Sequence, residues 1–116
     1  MPYIELNYNR TISETEEQKL KEELGKAISI LPGKSEDRLM VEIKDNMKLY
    51  FKGDKTKANM MIKVLVYGNP LSPNVLNNFT HKVSDIISNI IPNLSKDHIY
   101  ISYLFTENWG FNGENF

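Results

Sequence analysis

The chain opens Met1-Pro2-Tyr3-Ile4-Glu5-Leu6-Asn7-Tyr8-Asn9, with a proline directly after methionine at the head of an alternating strand pattern. Inside a chain, proline has no N–H to give a sheet ladder, so as filler it adds nothing there. With Met1 removed, Pro2 carries a free secondary amine. An α-amine ordinarily titrates at roughly 7.7–8.0, and partial burial or a neighbouring cation lowers that value by favouring the neutral form. A neutral secondary amine near pH 7 is a suitable general base. It can take a proton from a carbon next to a carbonyl and return it elsewhere, and this chemistry needs neither a metal nor any other cofactor.

The second chemical residue is Lys34, in the stretch Leu31-Pro32-Gly33-Lys34-Ser35-Glu36-Asp37. A lysine can hold a substrate carboxylate or stabilise an enolate oxygen. Taken singly, each residue has an ordinary explanation. Proline at position two often means only that methionine is cleaved, and a lysine just past a helix end sits where cations are favoured. Their chemistry depends on whether the fold brings them together.

Other catalytic material is scarce. The 116 residues include no cysteine, which removes disulfides, thiol nucleophiles and thiolate metal sites. The two histidines, His81 and His98, have no partner at metal-ligand spacing. The length fits one domain, residues 1–116, and 41% hydrophobic residues supply a core. A net charge of -1 argues against a nucleic-acid binder, which normally has a basic excess. There is no apolar run long enough to span a membrane and no signal-peptide pattern, so the expectation is a soluble, cytoplasmic domain with no membrane partner.

The elements that position Pro2 and Lys34 follow from periodicity. Residues 3–9 alternate as a first strand. Ser13 and Glu16 match a capping box, and Leu20, Leu24, Ala27, Ile28 and Leu31 then form one helical face. Pro32-Gly33 ends that helix. Residues 38–44 alternate Leu39, Val41 and Ile43 as a second strand. The order then recurs: a β-rich run at 61–69 closing at Gly68, Ser72-Pro73 opening a second helix through Val75, Leu76, Phe79, Val83, Ile86, Ile87 and Ile90, and a strand at 98–105.

An offset of sixty residues aligns the halves: Pro32 with Pro92, Ser35 with Ser95, Asp37 with Asp97, and Leu39, Val41 and Ile43 with Ile99, Ile101 and Tyr103. The units run over about 1–57 and 58–116. The expected fold is therefore α/β (α+β by some schemes): two pseudo-symmetric β-α-β units, each with parallel strands, joined into a four-stranded sheet with both helices on one face. In such a unit both strands start at the same end, so the loop entering the second strand carries Lys34 toward Pro2. Helices on one face leave the other bare. Tyr8 and Met40 are expected off the helix-facing pattern, and an apolar bare face predicts an oligomer.

Together these features resemble the macrophage migration inhibitory factor family of the tautomerase superfamily. The resemblance rests on Met1-Pro2 before the strand, on "LPGKSEDRLMVEI", "VLVYG" and "KDHIYISY", and on the ending "NWGFNGENF". It implies a homotrimer whose sheets line a central barrel, with active sites between subunits. It implies Pro2 as catalytic base, Lys34 as substrate-binding lysine, and Tyr100 contributed by the neighbouring subunit. Ser102 falls where the family often has asparagine. Tyr3, Trp109 and Phe111 fall on pocket-wall positions. A backbone amide of the third strand maps to Tyr67 if Gly68 anchors the alignment, or to Leu65.

The implied activity is keto–enol tautomerisation of an aryl or short 2-oxo acid such as phenylpyruvate. The implied alternative is a cytokine-like protein that engages a protein receptor and keeps the pocket incidentally; family members can be secreted without a signal peptide. The absence of Cys-x-x-Cys argues against thiol redox activity. With only Arg10 and Arg38 present, a dehalogenase-type site is disfavoured.

Overall fold

The computed structural model describes residues 1–116. Alternation along the first strand, β1 (Pro2–Tyr8), sends Ile4, Leu6 and Tyr8 to one face, where all three are buried. This corrects the expectation for Tyr8. The period of two that buries Ile4 and Leu6 carries Tyr8 with them, and its ring outweighs its hydroxyl. Burial is also the main force raising the Tyr8 hydroxyl pKa. Met40 does lie on the opposite face, 67% exposed.

Helix α1 (Glu14–Ala27) starts in the predicted capping box. Ser13 Oγ accepts the Glu16 N–H at 3.1 Å, and Glu16 Oε1 accepts the Ser13 N–H at 3.0 Å. A 3-10 turn, Ile28–Ile30, follows, and Gly33 then reverses the chain at a φ of +75°. The second strand is shorter than its alternation predicts. Glu36–Arg38 form a 3-10 turn, so β2 runs only over Met40–Lys44. The second half repeats the order with β3 (Met60–Tyr67), α2 (Pro73–Ile90), a 3-10 turn at Lys96–His98, and β4 (Ile99–Thr106). Ser72 Oγ caps α2 through the Val75 N–H, with Pro73 in its first turn.

The sheet order is β2-β1-β3-β4, parallel within each half and antiparallel where β1 meets β3. Both helices pack on one face, over a core of 19 residues that includes Ile4, Leu6, Leu24, Ile62, Val64, Phe79 and Ile87. Full burial of a side chain of this size contributes roughly 1.5–3 kcal/mol, so this face dominates the stability of the fold.

The other sheet face has no covering layer. Met40, Tyr100 and Leu104 are 67%, 61% and 65% exposed there. Yet its centre is polar and closed in: Glu5 and Asn7 are each only 8% exposed. Asn7 Nδ2 donates to Glu5 Oε2 at 2.8 Å, Lys44 Nζ reaches Glu5 Oε1 at 3.2 Å, and Tyr3 Oη donates to Glu5 Oε1 at 3.0 Å and also meets Glu42. These contacts hold the Glu5 carboxyl at a pKa of about 2, the Asn7 amide most of all, against the opposing effect of burial.

After β4 the chain forms a small hairpin, β5 (Gly110–Phe111) with β6 (Glu114–Asn115). Its turn residues Asn112 and Gly113 have φ of 55° and 83°, the left-handed pair that a tight two-residue hairpin demands.

Candidate active site

Pro2 is buried at the head of β1, paired with Val66 of β3. The parallel pairing of β1 with β2 sets Tyr3 beside Met40, so the turn before β2 lies at the Pro2 end of the sheet. That turn carries Lys34, Asp37 and Arg38 to one place. An open cleft of about 870 Å³ forms there, lined by Pro2, Tyr3, Arg38, Leu65, Trp109 and Phe111 among others, with Met1 in its wall.

Met1 occupies the site in two ways. Its carbonyl accepts the Tyr67 N–H at 3.0 Å. Its amine sits beside the Lys34 ammonium, and its pKa is lowered by burial first, then by Lys34, then by Arg38. The same surroundings would act on any amine at this position. Lys34 is fixed in place, since its Nζ donates to the Tyr67 carbonyl at 3.0 Å and stands 6.0 Å from the Tyr67 ring centre.

The aromatic wall is a product of the C-terminal hairpin. Phe116 N–H donates to the Trp109 carbonyl at 3.0 Å, which closes the hairpin's base. Tyr67 meets Trp109 at 6.4 Å between ring centres and Phe116 at 5.0 Å. Phe111 lies under the Arg38 guanidinium, 4.7 Å away. Tyr67 and Leu65 both take part, by different atoms: Tyr67 directs its backbone N–H and C=O to Met1 and Lys34, while Leu65 contributes to the cleft lining.

Tyr100 and Ser102 lie elsewhere in the chain. Tyr100 pairs with Met61, five residues along β3 from the partner of Pro2. At roughly 3.3 Å per residue, that separation is beyond a side chain's reach. Tyr100 projects from the bare face, edge-on to Phe51 at 5.3 Å. Ser102 lines a shallow depression on that face with Tyr3 and Leu65. Arg10 is also remote, at the far end of β1, with its guanidinium on the Thr56 carbonyl.

Arg38 is the cleft residue that sequence reasoning did not place. The signal was present, because the topology that carries Lys34 toward Pro2 carries the rest of the turn with it. No group of three or more His, Asp or Glu side chains gathers anywhere to hold a metal ion, and no helix is long and apolar enough to cross a membrane.

Comparison with known proteins agrees with this architecture. A family model described as macrophage migration inhibitory factor matches residues 1–116. Among solved structures, MIF2 of Leishmania major superposes with a TM-score of 0.89 at 23% identity, covering 100% of this chain and 97% of that one. The macrophage migration inhibitory factor of Trichinella spiralis gives 0.81 at 20% identity, over 98% and 99% of the two chains. Pt0534, solved after inactivation by 2-oxo-3-pentynoate, gives 0.85 at 14% identity, over 97% and 94%. No curated protein sequence matches the chain. With the family model spanning every residue and the same fold in each of these structures, the chain belongs to the macrophage migration inhibitory factor family.

Proposed function

We propose that the protein is a cofactor-independent keto–enol tautomerase of an aryl or short 2-oxo acid such as phenylpyruvate, with the Pro2 amine as general base once Met1 is removed. The observation that carries this reading is the position of Met1. Excision would expose the Pro2 amine beside Lys34 and, in the same event, release the Tyr67 N–H from the Met1 carbonyl. A base, a cation and a free backbone donor would then face one cleft.

In the forward direction the Pro2 nitrogen takes a proton from C3 of the 2-oxo acid. The C–H electron pair becomes the C2=C3 bond, and the carbonyl electrons move onto oxygen. In this reading Lys34 and the Tyr67 N–H stabilise that oxygen or the adjacent carboxylate. The protonated Pro2 returns the proton to the oxygen to give the enol, and the reverse sequence gives the ketone. An aryl group would rest against Trp109 and Phe111. In this reading the protein is a homotrimer, and Tyr100 and Ser102 enter the cleft from a neighbouring subunit, since Tyr100 does not reach Pro2 in its own.

The test is the rate of phenylpyruvate enol-to-keto conversion, on protein whose intact mass shows Met1 absent, beside Pro2→Ala. Loss of general base catalysis should slow the reaction by about 10²–10⁴-fold. Equal rates in the two proteins would remove Pro2 from the mechanism.

A further inference from the structure

Two cations without a carboxylate partner stand at this end of the sheet: Arg38 in the cleft lining, and Lys34 beside the Met1 amine. Neither Lys34 nor Arg38 takes part in an ion pair. They flank the aromatic wall at different points. Lys34 lies against Tyr67, and Arg38 lies against Phe111, with Trp109 also in that wall. Asp37 is the one acidic residue of the lining, and its carboxylate makes no ion pair with either cation. A monocarboxylate can neutralise Lys34 while leaving the Arg38 guanidinium unanswered. A guanidinium offers a rigid fork of donors matched to a carboxylate, and it can make that contact while its plane stays on the Phe111 ring.

We infer that the preferred substrates carry a second anionic group, as in a 2-oxo dicarboxylic acid. Lys34 receives the 2-oxo acid end beside Pro2, and Arg38 receives the distal carboxylate. This rests on the tautomerase reading of the same cleft. The step itself is unchanged: the proton leaves C3 to the Pro2 nitrogen and returns to carbon or oxygen. Arg38 is a binding residue for the distal group and takes no proton.

The experiment compares 2-oxoglutarate with 2-oxopentanoate, which lacks the second carboxylate. Exchange of the C3 protons in D2O is followed by NMR, using Met1-free protein. Wild type should favour 2-oxoglutarate in kcat/KM. Arg38→Gln should reduce that preference by about tenfold or more, mainly through KM, and Arg38→Lys should restore part of it. An Arg38 that only props the hairpin would lower both substrates together and overturn the inference. So would a wild type with no preference, while Pro2-dependent exchange of both acids would leave the tautomerase reading standing. If Met1-free wild type exchanges neither acid and leaves phenylpyruvate unchanged, the tautomerase reading fails. Calorimetric binding then decides Arg38 separately: 2-oxoglutarate binding that is lost in Arg38→Gln supports its role, and binding that is absent or unaltered overturns it.

Discussion

Lys34 touches the Tyr67 carbonyl and lies beside the terminal amine, so one substitution probes both binding and basicity. The Met1 amine has its pKa lowered from 8.0, by burial above all and next by Lys34, and a Pro2 amine exposed in its place would meet the same cation. A base works when neutral, so the rate should climb with pH as the Pro2 amine loses its proton. Lys34→Gln removes a cation that disfavours the charged amine. This rising limb should therefore move to higher pH. KM for phenylpyruvate should rise with it. A pH–rate profile of kcat/KM for the two proteins measures both effects, and an unmoved limb would show that Lys34 does not tune the base.

The elements were largely legible because their signals are local. Ser13 with Glu16, and Ser72 with Pro73, mark helix starts by hydrogen bonds between near neighbours. Strand pairing within each half follows from the handedness of a β-α-β crossover. Three features were missed. Tyr8 was misplaced although its register, two and four residues on from Leu6 and Ile4, puts it on their face. The Glu36–Arg38 turn was hidden because it joins directly to the alternating residues of β2. The closure around Glu5 depends on Lys44 and Lys63, from the two strands beside β1, which no single segment announces. That cluster has a pH signature. The Glu5 pKa falls from 4.5 to about 2 on folding, so its contribution is complete above about 4.5 and is lost as pH falls toward 2. Glu5→Gln should melt several degrees below wild type at pH 7, and the gap should narrow steadily as the pH is lowered from about 5. Thermal unfolding at a series of pH values checks this, and a gap independent of pH would assign the loss to packing instead.

For the whole molecule, the bare face and the distance from Tyr100 to Pro2 both lead to an oligomer, and the proposed function makes it a trimer. Light scattering should give a mass three times that of the chain, and Leu104→Arg, placed on the bare face, should lower it. Sharing of the site can be tested without a structure of the trimer. Pro2→Ala and Tyr100→Ala proteins should each be impaired alone. Unfolded together in equal amounts and refolded, they should regain activity in roughly a quarter of their sites, those pairing an intact Pro2 with an intact neighbouring Tyr100. No recovery in a correctly refolded trimer would place both residues in one subunit's site or in none.

Met1 lies in the cleft wall and Phe116 packs on the Tyr67 ring, so both ends of the chain meet at the same small region. The molecule therefore has no silent terminus for a purification tag or a fluorescent fusion. An upstream fusion leaves Pro2 locked in an amide, and a downstream one pulls at the aromatic wall. The absence of cysteine offers a way round this: Lys19→Cys, at an exposed position on α1, would give a unique thiol for labelling or surface attachment while both termini stay native.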